Sequence, residues 1–354
     1  MVIQKPVVTQ KSRPVAFLAA LGLALSGLIG LTPTAAVANG SATLNRGDAA
    51  AGWLARQLTD GEHFEVVFDG VHFPDQGLTI DAVFAFAATK RSGDYAARAT
   101  TWLARPEILS GYLGDGVGEA YSGATAKLAL AAQVRGGDAT AFGGVDLISR
   151  LRGLQAPSGR FTDRSAFGDF SNVFGQSFAI LALDRTAAGA PAAAVSFLTS
   201  SRCPDGGFPV FFDEATCVSD VDATAMAVQA LRAADAFAAA APGLRWLVSV
   251  QTASGGFASG GTVNANSTGL AAQALFASGR LIAAGRALRY LRDLQLDCSA
   301  PPADRGAIPF SSAGFDPATA SRATAQGTLG LAAVGFGQLS AAGSAGAAPT
   351  LFCP

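Results

Sequence analysis

The chain has little of what most metal-dependent and phosphate-handling enzymes require. Its 354 residues include only two histidines, four cysteines and two methionines. No Gly-rich phosphate loop, Gly-x-Ser-x-Gly elbow or His-Glu-x-x-His run occurs, so the usual hydrolases and nucleotide-binding sites lack sequence support. Charged residues are scarce, at 14%, and form no basic stripe; nucleic acid is not an expected partner. Half of the residues are hydrophobic, which with so few charges implies a large buried fraction.

A single long apolar run is present, at the start. Lys5, Lys11 and Arg13 precede an uncharged stretch from Val15 to Leu31, and Ala36-Val37-Ala38 forms a small-x-small cleavage site. This order predicts a secretory signal peptide over 1–38. A short membrane anchor is the alternative, but Gly22, Gly27, Gly30 and Pro33 suit a cleaved segment better. The mature chain is therefore expected to be secreted and extracellular, with no transmembrane segment. It carries 22 basic and 26 acidic side chains, a net charge of −4. In an oxidising compartment Cys203, Cys217, Cys298 and Cys353 allow three pairings. Cys203 with Cys217, flanking one loop, and Cys298 with Cys353, tying down the C-terminus, is preferred.

Internal repetition is the strongest signal. An aromatic-Leu pair recurs as Trp53-Leu54, Trp102-Leu103, Phe197-Leu198, Trp246-Leu247 and Tyr290-Leu291, with Arg150-Leu151 at the remaining position. Three units then carry a glycine turn, Gly159-Arg160-Phe161, Gly206-Gly207-Phe208 and Gly255-Gly256-Phe257, of the kind that ends a helix and opens a loop. A small-residue helix is predicted to follow over 81–88, 124–132, 176–183, 224–231, 268–275 and 324–333. The first helix of each unit carries charges such as Arg56, Arg105 and Arg292 and so has a solvent face. The second is apolar all round. Six such helices are satisfied together when outer helices wrap an inner ring, which predicts an all-α (α/α)6 toroid of about six helix pairs. An open stack of pairs has the same periodicity. The expected division is a signal peptide 1–38, a short segment 39–46, the toroid 47–335, and a tail 336–354 tethered by a disulfide.

The stretches from Gln155 to Phe161 and from Gln251 to Phe257 resemble the Q-x-x-x-G-x-F/W repeat of the prenyltransferase and squalene-oxidase superfamily. Gly77-Leu78-Thr79-Ile80-Asp81-Ala82, Gly143-Gly144-Val145-Asp146-Leu147 and Asn266-Ser267-Thr268-Gly269-Leu270 are similar to secreted actinobacterial members of it. The resemblance covers about residues 47–335 and implies an α/α toroid around a central cavity. It does not choose among cyclases, protein prenyltransferases, corrinoid carriers and binding proteins, because one fold hosts many functions.

Asp220-Val221-Asp222-Ala223-Thr224-Ala225 resembles the D-x-D-D-T-A motif of class II terpene cyclases. That implies a general-acid role for Asp222, although Ala223 stands where the motif has its third aspartate. A carboxyl can protonate an alkene only where a dry site keeps it protonated. Ser219, Asp220 or Asp222 could equally cap the helix that starts here, and a ligand contact is the third alternative. The zinc triad of the protein prenyltransferases has no counterpart. His63 and His72, with Glu62, Glu65, Asp69 and Asp75, occupy one loop and read as scattered surface groups, so neither metal nor cofactor is expected.

In a toroid the parallel inner helices gather their N-termini at one mouth. Tyr121, Asp220, Asp222, Asn266 and Arg322 are the candidate ligand-binding residues there. The expected function is binding without catalysis: a hydrophobic or mixed-polarity small molecule in the ring, or a cell-surface partner on its rim. An isoprenoid-modifying enzyme using Asp222 is the alternative. The inner glutamines Gln176, Gln229, Gln273 and Gln326 are expected to bond neighbouring backbone.

Overall fold

The computed structural model describes residues 41–354; the signal-peptide segment 1–38 lies outside them. Helices dominate and alternate in two roles along the chain. In chain order they are α1 (Arg46–Arg56), α2 (Gln76–Thr89), α3 (Gly93–Leu103), α4 (Pro106–Leu113), α5 (Ser122–Val134), α6 (Leu147–Arg152) and α7 (Val173–Asp184). They continue as α8 (Ala192–Ser200), α9 (Val221–Ala233), α10 (Phe237–Val250), α11 (Ala265–Ala277), α12 (Leu281–Leu294) and α13 (Pro317–Ala332).

The inner helices are α2, α5, α7, α9, α11 and α13, the segments expected from their small, apolar composition. Each packs against the next, and α13 returns to α2, so the ring closes. Outer helices straddle the joints: α8 touches α7 and α9, α10 touches α9 and α11, α12 touches α11 and α13, and α1 touches α13 and α2. The leucine of every aromatic-Leu pair is buried, as Leu54, Leu103, Leu151, Leu198, Leu247 and Leu291. Its aromatic neighbour varies in exposure, so the leucine is the constant part of the repeat.

Two contacts recur from unit to unit. The backbone N–H of Phe64, Phe161, Phe208, Phe257 and Ile308 donates to a side chain on the following inner helix, Thr79, Gln176, Thr224, Thr268 and Thr324 respectively, at 2.8–3.0 Å. A buried loop amide is thereby satisfied. In the units of Phe161, Phe208, Phe257 and Ile308 the glycine two residues earlier has positive φ, and a Cβ would meet a carbonyl of the next outer helix. That carbonyl belongs to Arg286 of α12 for Gly255 and to Ala49 of α1 for Gly306. The last unit thus seats on the first helix as the three units before it seat on their successors. Gln251 and Gln295 repeat the pattern, donating to Ala283 and to Arg46.

The C-terminal end of the ring is plugged. A 3-10 turn, Phe336–Gln338, puts Phe336 edge-on to Phe84 and Phe178, with centroids 5.2 and 5.6 Å away. Gln229 accepts from the Phe336 N–H at 2.9 Å, and Gln273 donates to the Val334 carbonyl at 2.7 Å. The chain then runs as a strap over the start of α3, through Gly93 N to Ala345 O, and along α1, where Arg56 donates to Pro349 O. It ends in a parallel pairing of β6 (Thr350–Leu351) with β1 (Ala42–Thr43) and in the Cys298–Cys353 disulfide. Cys203 pairs with Cys217.

The all-α expectation needs one correction. Two hairpins stand on the loops that lead into inner helices: β2 (Glu65–Phe68) with β3 (Val71–Pro74), and β4 (Phe257–Ser259) with β5 (Thr262–Asn264). Asp69-Gly70 and Gly260-Gly261, all at positive φ, make the two-residue turns that hairpins favour.

Candidate functional site

The N-terminal ends of the inner helices form the opposite mouth of the ring. Asp75, Asn172, Asp220, Asn264 and Asp316 cap five of them, each accepting a backbone N–H of the first turn. Asp220 accepts from Ala223 N at 2.9 Å with one oxygen and from Ser259 Oγ at 3.2 Å with the other. It therefore does the capping at the Asp220–Asp222 motif. Asp222 is left free of it.

The shared anchor residues set a common level. Two positions before each anchor lie Gly77, Gly123, Phe174, Asp222, Asn266 and Arg322. Two positions after lie Asp81, Lys127, Phe178, Met226, Leu270 and Gln326, four residues on and hence on the same helix face. Asp222, Asn266 and Arg322 so share a level on the successive helices α9, α11 and α13. Tyr121 does not share it. It precedes α5, its hydroxyl donates to Glu119 at 2.8 Å, and Gly123 occupies the corresponding place.

Asp222 is 3% exposed, and its Oδ1 has no hydrogen-bond partner. Burial pushes its carboxyl pKa up and the charge of Asp220 adds to that. The neighbouring Ser267 hydroxyl opposes the shift, although its Oγ makes no hydrogen bond of ordinary geometry. Asn266 is 8% exposed with Oδ1 unpartnered, while Asn264 does the capping of α11. Gln326, below Arg322, is buried with Oε1 unpartnered. Below Asp222 and Asn266 the lining is apolar, with Met226, Leu270 and, on α7, Phe178.

The other side of the mouth is charged and fully paired. Arg322 binds Asp75 at 2.6 Å and lies 3.7 Å from Asp81. Lys127 binds Asp81 at 2.5 Å and donates to Gly77 O at 2.9 Å. Burial, reinforced by Asp81 and Asp75, pushes the Tyr112 phenol far above its ordinary pKa. Sequence reasoning passed over Lys127 and its pairing with Asp81; a lysine inside the apolar run Ala126–Ala132 was the available signal.

The two histidines bracket Glu65, His72 Nδ1 at 2.8 Å and His63 Nε2 at 3.4 Å, and Glu62 is engaged by Arg105. Among the described residues no three His, Cys, Asp or Glu side chains are grouped as a metal ion would require. Two clefts of about 370 Å³ lie away from the mouth, one beside Arg46 and Arg292, the other beside Arg280 and Arg286. No described helix is long and apolar enough to cross a membrane.

No protein-family model and no curated protein matches the chain. Solved structures do. A protein from Actinoplanes is 14% identical with a TM-score of 0.57, over 81% of this chain and 97% of that one. An inactive variant of an α-1,6-mannanase from Salegentibacter, in complex with α-1,6-mannotriose, is 12% identical with a TM-score of 0.55, over 81% and 98%. An unsaturated glucuronyl hydrolase specific for heparin is 14% identical with a TM-score of 0.55, over 81% and 95%. At such identities the likeness extends to the α/α toroid fold and no further.

Proposed function

We propose that this chain is an exported six-repeat toroid that binds a small molecule of mixed polarity in the N-terminal mouth of its inner ring. Asp222 and Asn266 are the contacts, with Arg322 at the same level but held by Asp75, and the chain is read as a member of the prenyltransferase and squalene-oxidase repeat family. One observation carries the proposal: Asp222 and Asn266 are buried, each with its Oδ1 unpartnered, and are relieved of capping by Asp220 and Asn264. Each unsatisfied buried polar group costs about 1–3 kcal/mol. A folded chain that leaves two such groups at one mouth has them available for a ligand. Export rests on the 1–38 segment, and two disulfides together with the lack of a membrane-length described helix agree with it.

Native mass spectrometry of the secreted protein, alone and after incubation with isoprenoid, corrinoid and glycan pools, tests this. A retained, unchanged molecule whose capture is lost in Asn266→Ala supports the reading. Capture that survives both Asn266→Ala and Asp222→Asn sinks it.

A second reading is favoured by a separate observation, the raised pKa of the Asp222 carboxyl above an apolar layer. Such a group can act as a general acid. Its mark is an isoprenoid returned at the same mass with altered chromatography, the change being absent in Asp222→Asn. The sugar chemistry of the mannanase and the glucuronyl hydrolase makes the glycan pool the other arm of the same assay.

A further inference from the structure

The exposed apolar side chains are not scattered. Among the described residues, ten of the eighteen large ones lie on the loops that lead into α2, α5, α7 and α9, at the same end of the ring as Asp222. None lies on the loops leading into α11 and α13. The β2–β3 hairpin contributes most. Its cross-strand pairs Val66–Phe73 and Phe68–Val71 fall on one face of the ribbon, and all four are 47–61% exposed. The base of this hairpin is at the mouth, since Pro74 precedes Asp75, the partner of Arg322. Phe167 and Phe170 continue the apolar rim on the next loops, 77% and 52% exposed. Backbone bridges Ala120–Arg164 and Asn172–Phe211 join the loops before α5, α7 and α9 into one band.

The mouth is thus divided. An apolar rim lies over one part of the circle, and the unpartnered carboxyl and carboxamides of Asp222, Asn266 and Gln326 lie deeper on the other, on α9, α11 and α13. Resting on the binding function proposed above, we infer that the ligand is a single-chain amphiphile with a neutral, hydroxylated head. The head enters toward Asp222 and Asn266, and the hydrocarbon chain lies against the β2–β3 hairpin and the Phe167–Phe170 loop. A hydroxyl both donates and accepts, which answers a carboxyl and carboxamides together. Arg322 and Lys127 already pair with Asp75 and Asp81, and Asp220 caps α9, so these groups offer no free counter-charge to an ammonium or an anionic head. Arg160 pairs with Asp169 and Asp213, but the loops of the rim carry 13 acidic side chains against the three arginines Arg160, Arg164 and Arg202, so an anionic membrane surface is repelled rather than attracted.

Isothermal titration of the secreted protein with 1-monodecanoylglycerol below its micellar concentration tests the proposal, with glycerol, decanoate and decyltrimethylammonium as comparison probes. Saturable binding at one site is expected for the monoacylglycerol, at least about tenfold tighter than each comparison probe. The double variant Phe68→Ser/Phe73→Ser, altered only at exposed positions and checked for an unchanged melting temperature, should lose about fivefold or more of that affinity. Asn266→Ala should lower it too. Equal loss of affinity for all four probes on Asn266→Ala, with no effect of the hairpin variant, would overturn the chain assignment and leave the binding site standing. No binding of any probe overturns the amphiphile, while the fate of the binding site is read separately from the native mass spectra. Flotation of the protein with neutral phosphatidylcholine vesicles, lost in the hairpin variant, would reassign the rim to a lipid surface and also overturn the proposal.

Discussion

The two sides of the mouth use polar residues in opposite ways. Where α13, α2 and α5 meet, Arg322, Asp75, Asp81 and Lys127 answer one another completely. Where α9 and α11 meet, Asp222 Oδ1 and Asn266 Oδ1 have no hydrogen-bond partner. The first cluster spans the seam at which the last unit meets the first, and a buried ion pair there penalises any arrangement that separates its members. The second cluster holds nothing together. Paired polar groups at this mouth mark ring closure, and unpaired ones mark the place left for something else.

Breaking the seam should have the largest effect. Lys127→Met leaves Asp81 without its 2.5 Å partner and is expected to cost about 3–5 kcal/mol, read from urea unfolding. A companion Asp81→Leu/Lys127→Met variant should recover most of that loss, because no buried charge is then left alone. The strap over the same seam comes next: Cys298→Ser/Cys353→Ser should cost about 2–4 kcal/mol, with the melting temperature as readout and no change in the Cys203–Cys217 bridge.

The orphan side should behave in the reverse sense. Because the folded-state pKa of Asp222 is raised, its contribution is fully present below the unfolded value of about 3.9. It is lost as pH rises through the folded value. Asp222→Asn is therefore expected to be more stable than the parent at neutral pH, by about 1 kcal/mol, with the gain vanishing in acid. A parallel pair of stability–pH curves checks this, and a neutral-pH loss on substitution would break the contrast. The smallest effects sharpen it: Asp220→Ala and Asn264→Ala, which remove caps, should each cost about 1 kcal/mol without abolishing ligand capture. Asn266→Ala should abolish capture at less than about 0.5 kcal/mol in stability.

Much of the ring was legible in the residues. The leucine recurring at 44 to 49 residues marked the outer helices, and the apolar composition of α7 or α11 marked the inner ones. Some features were hidden for identifiable reasons. Gly306-Ala307-Ile308 repeats the glycine turn without an aromatic, so only its contacts with Thr324 and Ala49 reveal it. Tyr121, expected among the mouth residues, lies two residues before that level, because Gly123 holds the corresponding place on α5. The β2–β3 hairpin is obscured in the sequence because Glu65–Pro74 carries one histidine, His72, and two acids, Glu65 and Asp69, which read as scattered surface groups of a loop. Of the four glutamines expected to bond backbone, Gln176, Gln229 and Gln273 do, whereas the buried Gln326 leaves Oε1 without a partner.

By itself the sequence determined what composition and period can express: paired helices, one kind wet on a face and the other buried all round, and cysteines spaced for two bridges. Apolar burial is non-directional and reads out in order along the chain, so those features survive without coordinates. Only the tertiary structure decided which of Asp220 and Asp222 caps α9, that Lys127 reaches Asp81, and that exposed phenylalanines from separate loops gather at one mouth. Hydrogen bonds and ion pairs depend on angles and distances of a few ångströms between residues far apart in the chain, and these exist only once the ring has closed.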